Sequence, residues 1–334
     1  MTAESFCDIV WKNSYEKIKK SIIKNDYKSF DIPKKHGKRT INYLEKNSRL
    51  FFLQNQLNKN YLETFKLPVC VKGFRAGECY IGYLKEHTGS KHFLRIDIAD
   101  FFPSINSKII KKEFGLFLKC NSKEDTELVL DLICDIVTLD DRLPQGAATS
   151  PMVSNIVMSR IDQRILKYCQ VFNIKYTRYA DDMLFSSDSF DFKKKWFIKK
   201  IKYIIGTNGF RLNYSKLKNC SNELSLNGYV ISENGLRLSR NRLSDIRHIL
   251  AFSMLNYKEA KDHVESFIDR INNIELKHRN LRLYPFKTVF QFTQYLCGYR
   301  AFLISFLDEN DDSIFQCRLK KLIAKIEKNI LLYD

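Results

Sequence analysis

Lys175-Tyr176-Thr177-Arg178-Tyr179-Ala180-Asp181-Asp182-Met183-Leu184-Phe185 switches to a period of two around Ala180-Asp181-Asp182, the pattern of two short antiparallel strands joined by a tight turn. Adjacent aspartates at such a tip repel each other, and one would titrate upward unless a cation neutralised the pair. A divalent metal is the natural neutralising partner. Asp97 ends a separate apolar strand, Phe93-Leu94-Arg95-Ile96-Asp97, and offers a third carboxylate. Hard oxygen donors of this kind suit Mg²⁺ rather than zinc. Two such ions about 4 Å apart can activate an attacking 3′-hydroxyl and stabilise a leaving pyrophosphate. Taken alone, an Asp-Asp pair reads first as an ordinary polar turn, and the flanking strands narrow that preference without reversing it.

Outward from the hairpin, helical spacing covers residues 4–29 and 48–66, with Lys34-Lys35-His36-Gly37-Lys38-Arg39 as a basic turn between extended segments. Helices are expected at 107–118 and 124–137. The loop Leu143-Pro144-Gln145-Gly146 then leads past Pro151 into a long helix whose stripe Val153, Ile156, Val157, Ile161 and Ile165 reads as core. A basic amphipathic helix at 190–206 and a β region at 210–238 follow the hairpin. Helices at 240–256, 258–273, 285–305 and 313–332 close the chain. The lysine run Lys193-Lys194-Lys195 with Lys199-Lys200-Lys202 reads as a solvated helix face and is given no role.

The chain has 334 residues, 44% of them hydrophobic and 13% aromatic, a composition that excludes a disordered tail protein. Its 56 Lys and Arg against 38 Asp and Glu leave a net charge of +18, densest in the first third, which attracts polyanions and makes nucleic acid the leading partner class. Nine cysteines without a CxxC pair and six histidines without an HExxH group indicate neither a disulfide framework nor a zinc site. No signal pattern or membrane-length apolar run appears, so a cytoplasmic protein without membrane contact is expected.

Five segments stand in the order of the reverse transcriptase motifs: Gly73-Phe74-Arg75, then Arg95-Ile96-Asp97-Ile98-Ala99-Asp100-Phe101-Phe102-Pro103-Ser104-Ile105, then Leu143-Pro144-Gln145-Gly146-Ala147-Ala148-Thr149-Ser150-Pro151, then Tyr179-Ala180-Asp181-Asp182, then Gly209-Phe210-Arg211-Leu212-Asn213-Tyr214-Ser215-Lys216. The chain resembles that family, and within it the enzymes of bacterial retrons and related phage-defence systems. Leu226-Asn227-Gly228-Tyr229-Val230-Ile231 and Leu296-Cys297-Gly298-Tyr299-Arg300-Ala301-Phe302-Leu303 are similar to retron segments. Two positions depart from the retron pattern: Tyr83-Leu84-Lys85-Glu86-His87 keeps only the histidine of its motif, and Asn227 stands where the pattern has threonine.

The resemblance implies an α+β fold of the right-hand polymerase type, with fingers over 1–92, a catalytic palm over 93–238 and a helical thumb over 239–334. It implies RNA-directed DNA synthesis on a structured non-coding RNA, used as template and as a candidate primer. A cDNA product, an antiphage role and an effector protein acting in trans go with that reading. Asp97, Asp181 and Asp182 would hold Mg²⁺, with Mn²⁺ as the alternative, aided by the backbone carbonyl of Ile98. Phe102 occupies the place of an aromatic gate against a ribose 2′-hydroxyl. Gln145 and Gly146 would line the nucleotide pocket, and Arg75 and Lys216 would meet the triphosphate or pyrophosphate. Lys38, Arg39, Tyr299 and Arg300 are the expected nucleic-acid contacts, while His87 and His92 are expected to be structural. An untemplated or RNA-synthesising nucleotidyl transferase and an RNA-binding module with a decayed site are the alternatives. Phe102 and YADD argue against RNA synthesis, and the three carboxylates argue against decay.

Overall fold

Strands β1 (Tyr27–Pro33) and β2 (Lys38–Leu44) pair antiparallel near the start of the chain. Strands β3 (His92–Ala99), β4 (Lys175–Tyr179), β5 (Asp182–Ser187) and β6 (Arg211–Ser221) make an antiparallel sheet in the order β4-β5-β3-β6. Strands β7 (Glu223–Leu226), β8 (Tyr229–Ser232) and β9 (Gly235–Leu238) form a third sheet in that order. The computed structural model describes residues 1–33, 38–276, 285–307 and 314–333, so Lys34, Lys35, His36 and Gly37 of the expected basic turn lie outside the described residues.

The central position of β3 follows from its sequence. Phe93, Leu94, Ile96 and Ile98 are all buried, the near-continuous apolar run of a strand covered on both faces. The helix Ser150–Gln170 has a proline in its first turn and buries Val153, Ile156, Val157, Ile161 and Ile165, as its spacing predicts. Together with Ala3–Trp11, Arg49–Asn60, Ser107–Phe114, Lys123–Val137 and Lys195–Gly206, that helix encloses one apolar core.

The chain divides into two units, one of Met1–Leu224 with Ser232–Asn234, the other of Ser225–Ile231 with Gly235–Asp334. In the second unit the helices Arg240–Leu255, Val264–Asn272, Val289–Ile304 and Ile314–Ile330 bury Ile249, Phe267, Phe292, Leu296 and Leu303. Among the described residues no helix is long and apolar enough to cross a membrane.

Two expected helices are broken. The first, 4–29, ends at Trp11 because Lys12 takes a left-handed conformation (φ 53°); a second helix runs Tyr15–Lys20, and residues from Tyr27 onward join β1. The apolar spacing continued across that break, whereas the ladder with β2 captured Tyr27, Lys28 and Ser29. The other, 258–273, divides at His263 into Tyr257–Asp262 and Val264–Asn272.

Candidate active site

Strand register assembles the acids. Asp97 of β3 lies opposite Asp182 of β5, Tyr179 pairs with Asp182 across the turn Ala180-Asp181, and the Ile98 N–H donates to the Asp181 carbonyl at 3.0 Å. Asp97, Asp181 and Asp182 therefore share one end of the sheet, with the Ile98 backbone beside them. Asp97 is buried and accepts from Asn213 Nδ2 at 3.1 Å and from Lys216 Nζ at 2.7 Å. Asp182 Oδ1 accepts from Arg95 Nε at 2.8 Å and Nη2 at 2.5 Å. Burial, then the charges of Asp97 and Asp182, push the Asp181 carboxyl up to about 6. Burial also raises Asp182, against the opposing pull of Arg95.

Whether this set fits a divalent cation turns on the chemistry of its donors and on how their charge is compensated. Among the described residues, no three imidazole, thiolate or carboxylate side chains already converge as a metal cage, because Asp97 and Asp182 are turned to Lys216 and Arg95. The donors are nonetheless hard oxygens gathered at one end of the sheet, where burial and then the charges of Asp97 and Asp182 raise the Asp181 carboxyl, and a cation there would offset what two basic side chains leave uncompensated. The residues fit a divalent metal ion.

Behind the hairpin lies a network that sequence reasoning missed. Arg178 is fully buried and donates through Nε and Nη2 to Asp162, itself fully buried, with the shortest contact at 2.7 Å. Its Nη1 donates to the Ala180 carbonyl at 2.9 Å and its Nη2 to Asn155 Oδ1 at 3.1 Å. Tyr176 completes the ring by donating to Asp162 Oδ1 at 2.8 Å. Ala180 has φ 56°, a left-handed conformation that costs a non-glycine residue on the order of 1–2 kcal/mol. Arg178 thus grips the strained residue that aims Asp181. On the other side, a Cβ at Gly73 would sit 2.7 Å from the Ala180 nitrogen, so only glycine lets this segment lie against the turn.

Against β2, Gly146 (φ +117°) lets the Leu143-Pro144-Gln145-Gly146 loop close on the strand. A Cβ there would meet the Asn42 carbonyl oxygen at 2.7 Å, and the Asn42 N–H donates to the Gln145 carbonyl at 2.7 Å. Lys38, Arg39, Asp100 and Gln145 line one cavity of about 310 Å³. Phe101 is buried against Phe210, while Phe102 is half-buried with its ring centroid 6.4 Å from that of Phe74. Arg75 donates to the Pro68 carbonyl at 3.3 Å and lines a different cavity, beside Lys66, Phe74 and Pro151.

His87, the residue kept from an otherwise altered motif, is fully buried between Ser186 Oγ (2.8 Å from Nδ1) and Thr177 Oγ1 (2.7 Å from Nε2). It ties the segment after the helix Tyr80–Lys85 to β4 and β5. Burial, with Lys175 adding to it, holds its pKa down at about 3. An unfolded histidine titrates near 6.5, so between the two values the unfolded chain takes up the proton and the folded one does not. The stability contribution is complete above about pH 6.5 and is lost as pH falls toward 3. Urea unfolding of the wild type is expected to lose about 2 kcal/mol between pH 7 and pH 5 through this group, and His87→Gln is expected to remove that increment. An unchanged pH slope in the variant would refute it.

In the second unit, one expectation is corrected. Tyr299 is 5% exposed, packed against Tyr295 and Phe302, and cannot offer its ring to RNA; its place on the Leu296, Tyr299, Leu303 stripe makes it core. Arg300 is engaged with Glu327 at 2.6 Å. Four arginines of this unit, Arg237, Arg240, Arg247 and Arg318, together with His248, line a cavity of about 880 Å³.

The family model described as reverse transcriptase (RNA-dependent DNA polymerase) matches residues 32–231. Retron Ec86 reverse transcriptase of Escherichia coli is 28% identical over 263 residues, 77% of this chain and 80% of that protein. Retron Se72 reverse transcriptase of Salmonella heidelberg is 28% identical over 210 residues, which are 60% of this chain and 54% of that protein. Among solved structures, telomerase from Candida albicans, in complex with a telomeric RNA fragment, aligns over 90% of this chain and 63% of its own at 11% identity and a TM-score of 0.48.

Proposed function

The chain belongs to the reverse transcriptase family and is an RNA-directed DNA polymerase of the right-hand fold, and from that premise we propose that it copies a structured non-coding RNA into cDNA with Asp97, Asp181 and Asp182 as its metal-holding carboxylates. The observation that carries this reading is the register that sets Asp97 opposite Asp182 beside the Asp181 turn. Mg²⁺, before Mn²⁺, would be held there with the Ile98 carbonyl. Such ions supply activation of the primer 3′-hydroxyl and neutralisation of the leaving pyrophosphate.

The other roles belong to this chain's own side chains. Lys216 would give charge or a proton to the pyrophosphate, a reading supported by its contact with Asp97. Lys38 and Arg39 would take the triphosphate in the cavity they share with Gln145, and Arg75 would add a further phosphate contact. Fingers over 1–92, palm over 93–238 and thumb over 239–334 remain the proposed divisions. The likeness to retron enzymes supports a bacterial cytoplasmic setting, an antiphage role and an effector protein in trans.

Primer extension tests the reading. Purified protein with an RNA template, a complementary primer, dNTPs and Mg²⁺ is expected to extend to the template end, and addition that ignores template sequence would overturn it. In the same assay Phe102→Ala is expected to raise ribonucleotide use relative to deoxynucleotide use about ten- to a hundredfold, because deleting the ring removes the clash that excludes the 2′-hydroxyl. An unchanged ratio would show that Phe102 is not the gate.

RNA capture by the second unit is assigned to its arginine cavity in place of Tyr299. Arg240→Ala with Arg247→Ala is expected to weaken RNA binding and to flatten the plot of log affinity against log salt by about one to two units, since each phosphate contact adds about 0.7–0.9 to the slope. A slope equal to that of the wild type would remove these arginines from the interface.

A further inference from the structure

The lysine-rich helix Lys195–Gly206 carries more than a solvated charge run. Lys199, Lys202 and Tyr203 follow one another at helical spacing along its exposed face and form one wall of a cavity of about 810 Å³. The facing wall is β6, which contributes Arg211 and Tyr214 over a floor that includes buried Phe210. Tyr203 and Tyr214 are 59% and 55% exposed, a large aromatic area to leave in water. No acidic residue lines the cavity, and none of Lys199, Lys202 and Arg211 has a carboxylate partner among the described residues. Lys202 Nζ stands 5.6 Å from the Tyr214 ring centroid, so cation and ring already share one surface.

Strand geometry separates this cavity from the acids while tying it to the same strand. Asn213 pairs with Asp97 and Lys218 with Arg95, so four residues of β6 face the single intervening residue of β3, as in a bulge. Asn213 and Lys216 reach Asp97, whereas Tyr214 between them turns out to the cavity.

We propose that this cavity is a second nucleic-acid site, which takes a short unpaired stretch of RNA or DNA. Bases stack on Tyr203 and Tyr214, and phosphates rest on Lys199, Lys202 and Arg211. Unpaired strands are specified because base pairing and stacking within a duplex hide the faces that exposed tyrosines recognise. Nucleic acid is favoured over an acidic protein because cations here alternate with flat rings, the arrangement of single-strand platforms. The site goes beyond the polymerase reading, since it binds without chemistry.

The test is photocrosslinking of short oligonucleotides carrying 5-iodouridine or 5-iododeoxyuridine to the full chain without dNTPs, with the attached residue mapped by mass spectrometry. Crosslinks at Tyr203 or Tyr214 are expected, and the RNA and DNA arms show which strand the site takes. Tyr203→Ala is expected to lower that yield about tenfold. Gly206→Glu, where a Cβ meets nothing within 4 Å, is expected to abolish it by charge repulsion without disturbing the helix. Primer extension on a short template measures the polymerase separately and is expected to be unchanged in Gly206→Glu. Crosslinks that map only elsewhere, an equal yield from duplex, or full competition by polyglutamate would each overturn the site, the last by showing a generic anion or acidic-protein surface.

Discussion

Asp181→Asn is expected to lower dNTP incorporation on an RNA template by about a thousandfold or more, while the protein stays folded and still binds RNA. The first half follows from chemistry: the carboxylate supplies preformed negative charge at the place where cations must gather, and the amide keeps the shape without the charge. The second half follows from the electrostatics of the cluster. Burial and the neighbouring Asp97 and Asp182 raise the Asp181 carboxyl to about 6, above its unfolded value. A carboxyl raised in this way destabilises the folded state as pH climbs through that value, and above it the penalty is fully present. Removing the charge therefore relieves repulsion at pH 8. Without metal ions, the variant should unfold at a urea concentration no lower than the wild type. Loss of activity together with loss of the fold would show that Asp181 serves the structure, and retained incorporation would remove it from the metal site.

Why the acids were legible in the sequence and their supports were not has a physical reason. Alternation through Lys175–Tyr179, a two-residue tip and a separate apolar strand ending in Asp97 are local patterns, and register follows from them. The stripe of the helix Ser150–Gln170 is likewise local. Arg178 and Asp162 are different. Each is a charged residue inside a patterned element, and local periodicity cannot say that two inward charges meet across sixteen positions. Lys12 posed the same difficulty, since a left-handed turn at a lysine leaves no mark that a glycine would have left. Tyr299 is the reverse case: its spacing with Leu296 and Leu303 already pointed to the core, and the family likeness of its segment drew attention to RNA instead.

The buried pair yields the second large effect. Asp162→Leu should destabilise the first unit by about 3–5 kcal/mol, because it leaves the fully buried Arg178 guanidinium without its carboxylate partner. Against a total stability of about 5–15 kcal/mol that loss is severe. Trp11 and Trp196 are the two tryptophans of the chain and both lie in this unit, so their fluorescence in urea reports it directly. Replacing both partners separates energy from position. Arg178→Met combined with Asp162→Leu removes the stranded charge, and apolar groups of similar volume should restore most of the stability. Activity should not return with it. The Ala180 carbonyl would still lack the Nη1 donor at 2.9 Å, and Asn155 would still lack its contact, so the left-handed residue that aims Asp181 would lose its grip. A stable double variant at a tenth of wild-type activity or less, with unchanged RNA binding, is the expected result. Full recovery of activity together with stability would reduce Arg178 to packing and leave the turn to hold itself.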